Sequence, residues 1–307
     1  MSELRFSTVV HRGTLRVAGD DRVAFLQGLI SNDVTRVSPV QAIHAALLTP
    51  QGRFLWDMFV VESGDALLLE VERDRAADLM KKLGLYKLRS KVTLQNPGEE
   101  IEIAVAYGPG AAQALCLPQT AGAAKAIDDV IAYVDPRLPA LGVRIVAPDG
   151  HAATLLAARG FAPAAFDDYE ALRLSLGVPD GSRDLPVEKA LLLENGFDEL
   201  NAIDWEKGCY MGQELTARTR YRGLVRKRLL PVRIEGAPPA PGTPLMLGDQ
   251  ELAEMRSATA DGTIGLAMVR LEALAKDAAP TLRAGEAKLS PDIPAWMRLP
   301  ELDEAKA

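Results

Sequence analysis

Residues 204–223 read DWEKGCYMGQELTARTRYRG, a stretch in which a thiol, cations, a carboxylate and glycines crowd together. In Lys207-Gly208-Cys209-Tyr210-Met211-Gly212-Gln213-Glu214 the cysteine stands between two glycines that permit a tight turn, directly before residues 212–222, whose pattern predicts a helix. The start of a helix carries unpaired N–H groups and the positive end of the macrodipole, and Lys207 adds a cation two residues from the sulfur. Both favour an anion, so the thiol is expected to ionise more readily than a free cysteine at about 8.5. Such a group is a nucleophile or a soft ligand. Glu214 and Arg218 are four apart, the spacing of a helical ion pair. Arg218, Arg220 and Arg222 put cations in the last turns before Gly223, and residues 218–228 read either as a solvated helix end or as an anion-binding rim.

The rest of the chain narrows what this segment can serve. With 307 residues, 48% of them hydrophobic, there is enough apolar surface for more than one core. A net charge of −7 argues against a surface built for nucleic acid. No run approaches the ~18 apolar residues of a membrane span. The opening MSELRFSTVV has neither a hydrophobic signal core nor an Arg- and Ser-rich leader, so a cytoplasmic protein is expected. The two cysteines, Cys116 and Cys209, lie far apart without ligand spacing, as in a reducing compartment. Cys116, in AAQALCLPQ, is expected to pack as a small hydrophobe on a helix. His11, His44 and His151 are scattered singly, no His-x-x-x-His or G-x-G-x-x-G pattern occurs, and no metal site is expected.

Working back toward the N-terminus, residues 13–18 alternate like a strand. Asp20 then opens an expected helix with Val23, Leu26 and Ile30 as its stripe, ending near Asn32. Residues 42–48, 53–61 and 66–71 form an expected meander around the Pro50-Gln51-Gly52 turn. A charged helix (73–83) puts Leu79 and Leu83 on one face. Strands near 91–95, 101–107 and 142–146 follow, with helices at 151–159 and 167–176; the last stops at Gly177-Val178-Pro179. Strands and helices interleave without a strict βαβ rhythm, which predicts an α+β architecture. Residues 229–289 offer short strand-like runs between Pro- and Gly-bearing turns, the mark of a small antiparallel barrel or sandwich.

KGCYMGQE resembles the signature of the YgfZ-type folate-binding family, relatives of the glycine-cleavage T-protein that support iron–sulfur enzymes. The likeness extends to RGTLRVAGDDRVAFLQGLISNDV, TPQGRFLWDM, YKLRSKV and LRLSLGVPDGSRDLPVEKALL, spanning nearly all of residues 8–230. It implies a T-protein-like three-domain ring, two α+β domains plus a C-terminal antiparallel β-barrel. Residues 1–46 and 141–226 would form a discontinuous first domain, 47–140 the second and 227–307 the barrel. It implies tetrahydrofolate or another reduced folate as ligand, with Arg12, Tyr169 and Arg173 at the folate and Cys209, Lys207, Gln213, Glu214 and Arg218 in the thiol site. Asp78 is the nearest candidate for the T-protein's acidic group. The implied function is a folate-binding accessory protein for assembly or repair of iron–sulfur clusters, with iron–sulfur client or scaffold proteins as partners and neither nucleic acid nor membrane. The alternative is a folate-dependent aminomethyltransferase or demethylase. The T-protein lacks a cysteine at the signature position, and Cys209 therefore favours the accessory role.

Overall fold

The computed structural model describes residues 3–276 and 280–299. The chain divides into two compact units. The first comprises residues 1–50, 55–169 and 200–211, and the second 51–54, 170–199 and 212–307.

The first unit contains two sheets. In the five-stranded one, Ile43–Leu48, Phe54–Ser63 and Ala66–Glu72 run as the expected meander, followed in space by Arg12–Ala18 and the short edge strand Thr93–Gln95. Its residues are Val-, Leu- and Phe-rich, as a pleated layer buried on both faces requires; Ile43–Leu48 and Ala66–Glu72 are buried along their whole length. The six-stranded sheet has the order Ala162–Pro163, Arg5–Thr8, Ile101–Tyr107, Val143–Pro148, Val130–Val134 and Ala124–Ile127. Its first pair is parallel and the remaining pairs antiparallel. Helix His151–Ala158 contributes Ala152 and Leu156 to the core beside this sheet.

The domain limits implied by the resemblance at 46/47 and 140/141 cut through both sheets. Arg12–Ala18 pairs with Ala66–Glu72, and Val143–Pro148 pairs with Ile101–Tyr107. Pairing between strands distant in sequence leaves no trace in local composition. The first helix is also shorter than its apolar stripe suggests. It spans Arg22–Gln27, and Leu29 and Ile30, both buried, lie beyond its end.

In the second unit, six strands close into a barrel: Lys227–Glu235, Ile264–Arg270, Gln250–Ala258, Pro244–Leu247, Leu282–Ala284 and Ala287–Pro291, the last returning to pair with the first. Leu230, Val232, Leu245, Met255, Val269 and Leu289 fill its interior. Closure leaves no unpaired sheet edge, which is how a short-stranded antiparallel layer avoids edge association.

Candidate functional site

Cys209 lies on an irregular segment between Asn201 and the helix Gln213–Tyr221, and it is exposed. The segment is held by the side chains of Ser31 and Asn32. Ser31 Oγ donates to the carbonyl of Ala202 (2.6 Å) and accepts from Ala46 N (2.8 Å). Asn32 Nδ2 donates to the carbonyls of His44 (2.7 Å) and Asn201 (2.8 Å). Asp204 Oδ1 accepts from the backbone N–H groups of Glu206 and Lys207, a local turn of the Asx kind.

Lys207 is the pin of the loop. Its Nζ donates to the carbonyls of Ile30 (2.6 Å) and Asn32 (2.7 Å) and lies 5.3 Å from the centre of the Tyr210 ring. Burial pulls its pKa down from 10.5 to about 8, against the opposing pull of Asp33 and Asp204. With Tyr210 buried and Met211 N donating to the Gly28 carbonyl (3.1 Å), the loop is fastened on both sides of a sulfur that faces water. Of the two flanking glycines only Gly212 is demanded by conformation. It caps the helix at φ 80°, whereas a Cβ on Gly208 would meet nothing within 4 Å and its φ is not positive.

The other predicted thiol-site residues, Gln213, Glu214 and Arg218, fall in the second unit. They sit on the expected helix, where Arg218 pairs with Glu214 at 2.5 Å on an exposed face, worth roughly 0.3–0.5 kcal/mol. Cys116 does not pack as a helical hydrophobe. The helix ends at Ala114, Cys116 takes a φ of 57° and is exposed, and Leu115 and Leu117 take the buried positions on either side. Asp78 is 71% exposed and paired with Lys81 at 3.2 Å, a surface carboxylate rather than a cavity acid.

A second polar constellation lies between the two sheets of the first unit. Glu70 accepts from Arg12 Nε (3.2 Å), from Arg144 through two nitrogens and from the Tyr133 hydroxyl. Arg12 also reaches Asp57 (3.1 Å), and Asp135 takes a fork from Arg137 at 3.0 and 2.8 Å. The three guanidinium carbons of Arg12, Arg137 and Arg144 lie 5.3, 4.8 and 4.3 Å from the Phe59 ring centre. For Glu70, burial would raise the pKa, but Arg144 and Arg12 overcome it and hold the carboxyl below its ordinary value; Arg137 does the same for Asp135. His44, stacked on Phe59, is pushed down by burial despite Asp57 beside it. Three cations against three carboxylates make this a balanced, desolvated clamp between the sheets. Its signal in the sequence was the charged residue inside a strand-length apolar run, Asp57 in FLWDMFV and Glu70 in LLLEVE.

Comparison with known proteins places the chain. Residues 226–299 match the family of the CAF17 C-terminal beta-barrel domain. The chain is 34% identical to the mitochondrial iron–sulfur cluster assembly factor IBA57 of Mus musculus, over 86% of this chain and 76% of that protein. With the protein of the same name from Homo sapiens it shares 35%, over 84% and 75% of the two chains. This chain belongs to the IBA57 family of iron–sulfur cluster assembly factors. Its fold is that of the T-protein. Superposition on the glycine cleavage system aminomethyltransferase T from Bartonella henselae gives a TM-score of 0.75 over 96% of this chain and 86% of that one, at 14% identity. The cytoplasmic expectation is corrected by these comparisons, because the IBA57 relatives are mitochondrial by name. Ten N-terminal residues report on two kinds of leader and carry no further information on compartment.

In this IBA57-family chain the residues expected at a folate are engaged internally. Arg12 is 1% exposed between Glu70 and Asp57. Tyr169 is 2% exposed against the rings of Tyr107 and Phe166. Arg173, in the second unit, gives its guanidinium to Glu170, Asp184 and the Val178 carbonyl. Each of the three side chains is thus taken up by partners within its own unit. Among the described residues no three His, Cys, Asp or Glu side chains gather to hold a metal ion.

Proposed function

We propose that this protein serves iron–sulfur cluster assembly through the Cys209 thiol, presented to a partner protein that carries or receives the cluster. The observation that carries the reading is an exposed sulfur on a loop whose neighbours on both sides are anchored, with the Lys207 ammonium bonded to two carbonyls. Anchoring lowers the entropy lost when a partner engages the sulfur, because the loop is ordered beforehand. One thiolate supplies one of the usual four cysteine ligands of a cluster, so Cys209 acts as a shared or transient ligand, with the remainder from the client or scaffold. The cluster is cargo in this reading. Family membership supports it, as does the cysteine within the KGCYMGQE signature of the YgfZ-type proteins.

Tetrahydrofolate enters the proposal as a ligand to be titrated. Binding at Arg12, Tyr169 or Arg173 would require exchange of their internal partners, so calorimetry with reduced folates should return weak heats unless another part of the chain binds them. The experiment that tests the thiol is complementation of a strain lacking its own assembly factor, read as activity of a four-iron enzyme. Cys209→Ser should leave the melting temperature unchanged and abolish rescue; full rescue by that variant would end the thiol mechanism.

A further inference from the structure

The helix Ala76–Lys87 and the turn after it carry a surface that the cysteine loop does not use. Residues 79–98 hold Lys81, Lys82, Lys87, Arg89 and Lys91 and no Asp or Glu, in a chain whose net charge is −7. The rest of the chain is thus more acidic than its total by five charges. Among these cations stand two of the most exposed large apolar side chains among the described residues, Leu85 at 72% and Leu88 at 89%. Leu85 lies in the last turn of the helix and Leu88 directly follows its end. Buried Leu79 and Leu83 anchor its opposite face, so the exposed leucines are not misplaced core residues. Beside Leu88 opens a concavity of about 700 Å³ lined by Asp21, Leu88, Arg89 and Ser90.

The turn is held rigidly. Lys91 N donates to Asp21 Oδ2 (2.7 Å), Ser90 N to the Lys87 carbonyl (2.8 Å), and Gly19 approaches the Lys91 carbonyl so closely that a Cβ would stand 2.1 Å from it. Leu88 itself adopts φ 43°, a left-handed value that leucine rarely takes. The fold holds a costly conformation and leaves the side chain in water.

We propose that this face docks an acidic segment of a partner protein, one or two apolar side chains seating against Leu85, Leu88 and the concavity while flanking carboxylates meet Lys82, Lys87, Arg89 and Lys91; Lys81 is already paired with Asp78. A segment reaches the cationic face alone. A lipid bilayer would also confront the acidic remainder of the surface, and two leucines give it little to bury. Nucleic acid would gain charge contacts but nothing from the leucines, and its affinity would rest on a cationic stretch within a net-negative chain. The inference rests on the reading above that the protein acts on other proteins, at a site separate from the thiol.

The test is fluorescence anisotropy with the full chain and a fluorescein-labelled twelve-residue peptide of Asp, Glu and Leu with its leucines three apart. The same measurement is made on Arg89→Glu with Lys91→Glu, and on Leu85→Ser with Leu88→Ser. Binding should weaken about tenfold or more in the charge-reversed pair, fall with salt, and weaken several-fold in the leucine pair. The proposal is overturned by absent or variant-insensitive binding, by tighter binding to phosphatidylglycerol vesicles or single-stranded RNA, or by a self-association that the variants abolish. In the complementation strain both double variants should lose rescue while Cys209 alkylation in the purified proteins stays at the wild-type rate; rescue at wild-type level would also overturn it. If Cys209→Ser rescues and the surface variants do not, the thiol mechanism fails and the docking surface stands.

Discussion

Replacing Lys207 by Met separates what the pin does for the fold from what it does for the loop. The ammonium makes two charge-assisted hydrogen bonds, at 2.6 and 2.7 Å, to Ile30 and Asn32. Each such bond contributes roughly 1.5–3 kcal/mol in a dry site and less in a half-exposed one. Against this stands desolvation. A fall in pKa from 10.5 to about 8 corresponds to roughly 3 kcal/mol against the charged form, and screening of a half-exposed group cuts this to about half. The two contributions nearly cancel, so Lys207→Met should change global stability by no more than about 1 kcal/mol. Its local effect does not cancel, because the carbonyls of Ile30 and Asn32 lose their donor and the loop loses its register. An opening free energy lowered by about 1.4 kcal/mol or more makes the loop open about tenfold more often.

Urea unfolding measures the first quantity, and amide hydrogen exchange of residues 205–211 with Cys209 alkylation kinetics measures the second. The pH dependence has a definite sign. Between about pH 8 and 10.5 the folded state binds fewer protons at Lys207 than the unfolded state, so stability from this group is complete above 10.5 and is lost as pH falls through about 8. Wild type should show that upward slope and the methionine variant should lack it. A loss of more than about 3 kcal/mol with unchanged loop exchange would refute the reasoning and make Lys207 a structural post.

The two glycines of the loop should respond differently. Gly212→Ala, forced to φ 80°, should cost about 1–2 kcal/mol, and Gly208→Ala less than about 0.5, measured by denaturant midpoint. Glu70→Gln breaks the clamp between the sheets and should destabilise by about 3–5 kcal/mol. Because Arg144 and Arg12 hold the Glu70 carboxyl below 4.5, and Arg137 holds that of Asp135 below 3.8, their stability is complete above the unfolded values. It is lost as pH falls through the lowered ones, and an acid-unfolding curve should shift to higher pH in the variant. An unshifted curve would mean that the clamp is not what acid breaks.

The sequence by itself was enough for the strand meander, the helix carrying Glu214 and Arg218 and the α+β class, because each rests on a period of 2 or 3.6 residues or on a turn residue; between a C-terminal barrel and a sandwich, the pairing of the last strand with the first decided. It also marked Cys209 as a candidate, through two glycines and a lysine within four residues. The structure alone decided that Lys207 reaches back to Ile30 and Asn32, that Ser31 and Asn32 hold the segment from Asn201 onward, and that Arg12 serves Glu70 and Asp57. It also turned Cys116 outward where a helix was expected to bury it. The physical reason is distance along the chain. Local pattern records which face of an element is apolar, whereas a buried charge or a hydrogen-bonded loop is defined by its partner, and here the partners lie 58 and 177 residues away.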